Sequence, residues 1–161
     1  MYDIKNLKIW KETERDNPFL SKVTFISMDA CIWEKIIMKS GNYDRIKDIF
    51  DQCGITVTDA KKGHSFQFKI YLSEKMAATD IEALELNVRS FNCLKRAGIN
   101  TIGALCERIH SSNDLKMIRN CGDTSVAEIM DKLFYYHLCN LPEKRQKEYL
   151  AEIIKNNNNN C

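Results

Sequence analysis

The chain has no apolar run approaching the ~20 residues that a membrane-spanning helix needs. It has no excess of charge either: 24 basic against 22 acidic side chains leave +2. That balance excludes a polybasic chromatin-type protein and an acidic, disordered solvating chain. It lacks a CxxC pair, because Cys31, Cys53, Cys93, Cys106, Cys121, Cys139 and Cys161 are odd in number and widely spaced. Neither a zinc site nor a redox motif has its usual spacing, so the cysteines read as reduced thiols serving as small core residues. A phosphate loop, GxSxG, HExxH and D-x-D are all missing, which leaves enzymatic readings without a motif. The polar start Met1-Tyr-Asp-Ile-Lys-Asn has no signal-peptide core. The expectation is a cytoplasmic, non-catalytic protein with no membrane partner, no metal and no cofactor.

What is present divides in two. With 161 residues and 18.7 kDa, the chain has room for one ordinary domain or two very small ones. Residues 1–20 read as a short helix or an irregular arm, in which an exposed Trp10 would be an interface anchor. Lys22 to Met28 is rich in β-formers and predicts a strand. Asp29 is placed to cap a helix with Ile32, Trp33, Ile36 and Ile37 at helical spacing. Tyr43, Ile46, Ile49 and Phe50 continue that pattern after Gly41-Asn42. Alternation at Ile55 and Val57, and again at Phe66, Phe68, Ile70 and Leu72, predicts a hairpin with Lys61-Lys62-Gly63 as a solvated tip. Residues 1–75 therefore read as a small α+β unit whose helices cover a three-stranded sheet.

From Ser73 the periodicity becomes helical. Residues 76–140 predict an all-α domain of short helices punctuated by Gly98, Gly103 and Gly122. Residues 141–161 predict one more helix, to 155, and an asparagine run that is expected to be disordered. Val88 to Arg96 is a helix that Gly98 stops. Further helix starts are expected at Thr101, near Ser111 or Ser112, and near Thr124 or Ser125, the last with Glu128 at capping-box spacing from Ser125. The segment 88–120 holds six basic side chains, Arg89, Lys95, Arg96, Arg108, Lys116 and Arg119, against Glu107 and Asp114. Near-neutrality overall thus conceals a basic stretch. Short helices joined by glycine turns present N–H groups to phosphate oxygens, and helix-hairpin-helix modules grip a DNA backbone that way. His64, His110 and His137 have no cysteine or carboxylate at ligand spacing and read as structural.

The run from Ile81 to Gly103, with Val88-Arg-Ser-Phe-Asn-Cys-Leu-Lys95 and Ala97-Gly-Ile-Asn100 at its centre, followed by Ile118-Arg-Asn-Cys-Gly122 and Ser125, resembles the C-terminal domain of the bacterial RNA polymerase alpha subunit. The resemblance covers roughly residues 79–138. It implies a helical domain that binds the minor groove of A·T-rich double-stranded DNA and touches sigma factor, RNA polymerase or activators. Arg89 would enter the groove, with Asn92, Cys93 and Lys95 beside it. Gly122 and Ser125 would present a second backbone-gripping turn, and Glu128 would lie on the DNA surface. Glu82 and Glu85 would face a protein partner. A narrow A-tract groove has the enhanced negative potential that attracts an inserted guanidinium.

Two departures stand out. Asp123-Thr124 occupies positions where the family carries two basic residues, which weakens backbone affinity. The 75 residues before the helical part do not resemble the alpha subunit's long assembly domain, so a protein other than an alpha subunit is expected. The expected function is non-catalytic DNA binding linked to bacterial transcription, with an unknown partner for the N-terminal unit. The alternative is a protein–protein adapter that has kept the fold and lost useful DNA affinity. An enzyme with its site in the N-terminal unit is the third reading.

Overall fold

The computed structural model describes residues 20–39, 43–53 and 65–159. Two strands, β1 (Leu20–Asp29) and β2 (Ser65–Ser73), pair antiparallel with Ile26 opposite Phe68 and Thr24 opposite Ile70. Alternation sorts the strands into two faces. Ile26, Met28, Phe68, Ile70 and Leu72 are buried, while Phe25 on the other face is 60% exposed, with the Lys69 ammonium 5.5 Å from its ring centre. Helices α1 (Ala30–Lys39) and α2 (Tyr43–Cys53) follow β1, and they bury Ile32, Trp33, Ile36, Ile46 and Ile49 at the expected helical spacing.

The three-stranded sheet expected above is corrected to two strands among the described residues. The third strand, at 55–58, and the hairpin tip lie outside them, and β2 takes β1 as its partner. The far edge of β2 meets helix side chains. There the Tyr71 N–H donates to His137 Nε2 at 3.0 Å, and the Tyr149 hydroxyl donates to the Lys69 carbonyl at 2.6 Å. Two helix side chains thus take up backbone groups on that edge of the sheet.

The helical part contains α3 (Glu74–Ala78), a 3-10 turn (Ile81–Leu84), α4 (Val88–Arg96), α5 (Ile102–Arg108), α6 (Ser112–Lys116) and α7 (Asp123–Asn140). The final helix is α8 (Glu143–Asn159). Gly98, at φ +78°, ends α4 as expected, and the Ile99 N–H reaches back to the Leu94 carbonyl at 2.9 Å. Gly103 serves a different end: a Cβ there would lie 2.7 Å from the Ala77 carbonyl, so α3 and α5 approach as closely as they do because the side chain is missing. Helix α7 starts at Asp123, one residue earlier than expected, with Gly122 as its N-cap. Helix α8 runs beyond 155 to Asn159. The expected disorder of the asparagine run is thereby corrected: asparagine is a weak helix former that costs only a few tenths of a kcal/mol per residue, so a helix already formed extends through a short run of it.

Phe134 of α7 is the point where all parts meet. Its ring lies 5.2 Å from Trp33, 5.4 Å from Phe68 and 6.2 Å from Tyr149, centre to centre. The buried side chains thus run without a break from α1 and the sheet through α7 to α8. Polar links reinforce this at the edge of β1. The Ser27 N–H donates to the His110 carbonyl at 2.9 Å, the Asp29 N–H to the Ser112 hydroxyl at 3.2 Å, and the Lys116 ammonium sits 3.0 Å from the Asp29 carboxylate.

Candidate nucleic-acid interface

The site is built around the first turn of α4. Asn87 caps it, its side-chain oxygen accepting the Ser90 N–H at 2.9 Å. Glu128, from α7, closes the same turn. One carboxylate oxygen accepts the Asn87 N–H at 2.7 Å and the other accepts the Ser90 hydroxyl at 2.5 Å. A carboxylate at a helix N-terminus is favoured by the helix dipole, and here it also bolts two helices together. The expected capping box between Ser125 and Glu128 does not form, because Glu128 is engaged by α4 and Ser125 is buried.

Anchored in this way, α4 presents Arg89 and Asn92 to solvent, with Val88 beside them at 77% exposure. Cys93 turns inward and is buried, and its thiol donates to the Asn120 carbonyl at 3.0 Å. Asn120, at φ +65°, shapes the turn that leads through buried Cys121 to exposed Gly122 at the head of α7. Burial pushes the Cys121 thiol up to about 11, with Cys93 beside it as the smaller cause. The first turn of α4 and the Gly122 turn are therefore held next to each other from both sides, by Glu128 and by Cys93.

The expected site residues divide by exposure. Arg89, Asn92 and Gly122 are open to solvent, and the Cys93–Asn120 bond sets α4 beside the turn that leads to Gly122. Lys95 is half-buried, its ammonium 5.3 Å from the centre of the Phe91 ring. Cys93 and Ser125 are buried beneath the surface, and half-buried Glu128 is turned onto the first turn of α4. Glu82 and Glu85 are exposed on the 3-10 turn that immediately precedes α4, Glu85 with φ +55°. Asp123 and Thr124 are exposed in the first turn of α7. Sequence reasoning did not place Arg96, Arg108 and Arg119 in the site, although all three line one cleft with Cys93 and Asn120. The seven-residue spacing of Arg89 and Arg96, two helical turns, was the available signal.

Among the described residues no group of three or more His, Cys, Asp or Glu side chains is arranged to hold a metal ion. None of the helices described is long and apolar enough to cross a membrane. His137 is buried at the edge of β2. Burial lowers its imidazole to about 3, so the ring is neutral, with Nε2 as the acceptor and Nδ1 bearing the proton.

Residues 71–134 match the family model for the C-terminal domain of the bacterial RNA polymerase alpha subunit. Over 60 residues the chain is 53% identical to a DNA-directed RNA polymerase subunit alpha of Clostridium botulinum and to one of Limosilactobacillus reuteri. It is 50% identical over 60 residues to that of Carboxydothermus hydrogenoformans. The matched part is 37% of this protein, which spans only 18% of the length of those relatives. The segment that carries Arg89, the Gly122 turn and most of α7 is thus similar to the C-terminal domain of bacterial RNA polymerase alpha subunits.

Proposed function

We propose that this protein is a non-catalytic, cytoplasmic DNA-binding protein of bacterial transcription, and that its α4 face docks on the minor groove of A·T-rich duplex. The observation that carries the reading is the joint exposure of Arg89 and Asn92 beside the Gly122 turn, on a frame fixed by Glu128 and Cys93. Arg89 is the inserted guanidinium, and Val88 offers apolar contact to the groove wall. The turn at Gly122 contributes backbone N–H groups to a phosphate. Cys93, Ser125 and Glu128 act on DNA through the surfaces they support, and Lys95 lies at the edge of the face. Glu82 and Glu85 present an acidic surface to sigma factor, polymerase or an activator.

The test is fluorescence anisotropy of the full-length protein on A·T-rich and G·C-rich duplexes across a salt series. Salt-dependent binding that prefers A·T and collapses in Arg89→Ala is the expected result. No binding by the folded protein at low salt overturns it. The adapter reading draws on the exposed Asp123 beside Gly122, an anion where a phosphate would approach. In that case Glu82→Ala with Glu85→Ala loses a polymerase or sigma partner while DNA is never bound.

A further inference from the structure

The face that carries Arg89 continues past the first turns of α4. At the other end of the helix a cleft of about 690 Å³ opens between α4 and the segment leading to Asn120. Arg96, Arg108 and Arg119 line it together with Asp114, Cys93 and Asn120. Arg96 follows Arg89 by seven residues, which places it within about 20° of the same helix face and roughly 10 Å further along the axis. With roughly 3.4 Å of rise per base-pair step, that distance spans about three steps of duplex.

The charge of the cleft is not neutralised from within. Asp114 is its single carboxylate, and its Oδ2 already accepts the N–H groups of His110 at 2.8 Å and Ser111 at 3.2 Å. Among the described residues no carboxylate pairs with Arg96, Arg108 or Arg119. Arg108 is fixed at the wall by donating to the Ala97 carbonyl. A guanidinium does not lose its proton in a protein, so three permanent positive charges share this concavity with one carboxylate that is already engaged.

We infer that this cleft is a second anion-binding site, which takes phosphodiester groups of the duplex whose minor groove receives Arg89. The inference rests on the DNA-binding reading above. Continuity with the Arg89 face favours the phosphates of one duplex over the carboxylates of a protein segment. The site also restores positive charge to an interface that carries Asp123-Thr124 at its other turn.

The full-length protein, Arg89→Ala, and the double variant Arg96→Gln/Arg119→Gln are titrated with A·T-rich and G·C-rich duplexes between about 50 and 200 mM salt. Two lost phosphate contacts lower the salt slope by about 1.8, so the double variant sheds about tenfold less affinity than wild type across that range. It weakens on both duplexes alike and keeps its preference for A·T, whereas Arg89→Ala loses the preference. A wild-type slope in the double variant overturns the inference and leaves the Arg89 reading standing. If wild type binds neither duplex, both fall. Loss of retention on immobilised poly-glutamate with an unchanged DNA slope assigns the cleft to protein carboxylates and equally overturns it. Should the double variant melt at lower temperature, the single variants Arg96→Gln and Arg119→Gln carry the test, each lowering the slope by about 0.9.

Discussion

Glu128 holds two donors of the α4 turn at once, and its removal strands both. The expected cost of Glu128→Ala is about 1–3 kcal/mol, read as a lower urea midpoint. Because the carboxylate works by bracing Arg89's helix, DNA affinity should fall in step with helix order, with the salt slope unchanged. At His137 the linkage to pH has a definite sign. The unfolded imidazole takes a proton below about 6.5, while the buried one resists protonation down to about 3. Its contribution is therefore complete above about pH 6.5 and is lost as pH falls toward 3, at roughly 1.4 kcal/mol per unit. Asp131 has the opposite sign. Burial raises its carboxyl from 3.8 to about 6, so it costs stability above that range and the cost disappears as pH falls toward 4. Asp131→Asn should accordingly stabilise the protein at pH 7 and change little at pH 4. His137→Gln should flatten the acid limb of the profile. Denaturant midpoints at pH 4, 5.5 and 7 check both.

Elements differ in how far they could be read from their own residues. The stop of α4 at Gly98 and the start of α5 at Thr101 are local signals, a left-handed turn and a hydroxyl cap, and both were legible. Buried positions of α1 and α2 followed from helical spacing for the same reason. What meets the far edge of β2 was not legible. The edge of β2 is filled by His137 and Tyr149, 66 and 80 residues away in sequence from the groups they bind, and no short window contains that information. The cross-helix use of Glu128 is a similar case: capping-box spacing pointed to Ser125, and a donor pair 38 and 41 residues upstream won. Arg89, Asn92 and Gly122 could be named as candidates through the family resemblance, whereas the cleft arginines needed three segments brought together. Gly103 makes a test at this scale. Gly103→Ala would set a methyl 2.7 Å from the Ala77 carbonyl, and forcing α3 off α5 should cost about 1–3 kcal/mol, visible as a lower melting temperature.

At the scale of the whole molecule, the Phe134 ring makes the sheet, α1, α7 and α8 depend on one another. Truncation to Phe134→Ala should cost about 3–5 kcal/mol. In a Trp10→Phe background, Trp33 fluorescence and far-ultraviolet circular dichroism should trace one coincident unfolding curve. Two separated transitions would show that the parts unfold independently. On the proposed DNA-binding reading, the bonds from β1 to residues 110, 112 and 116 have a bearing on geometry along a duplex. A head tied to its grip by backbone and ion pair cannot swivel as one on a loose tether would. Whatever meets Phe25 and Lys69 on the outer sheet face is then presented at one compass bearing around the duplex. Shifting the docking site by half a helical repeat, about five base pairs, would turn that face to the opposite side of the DNA.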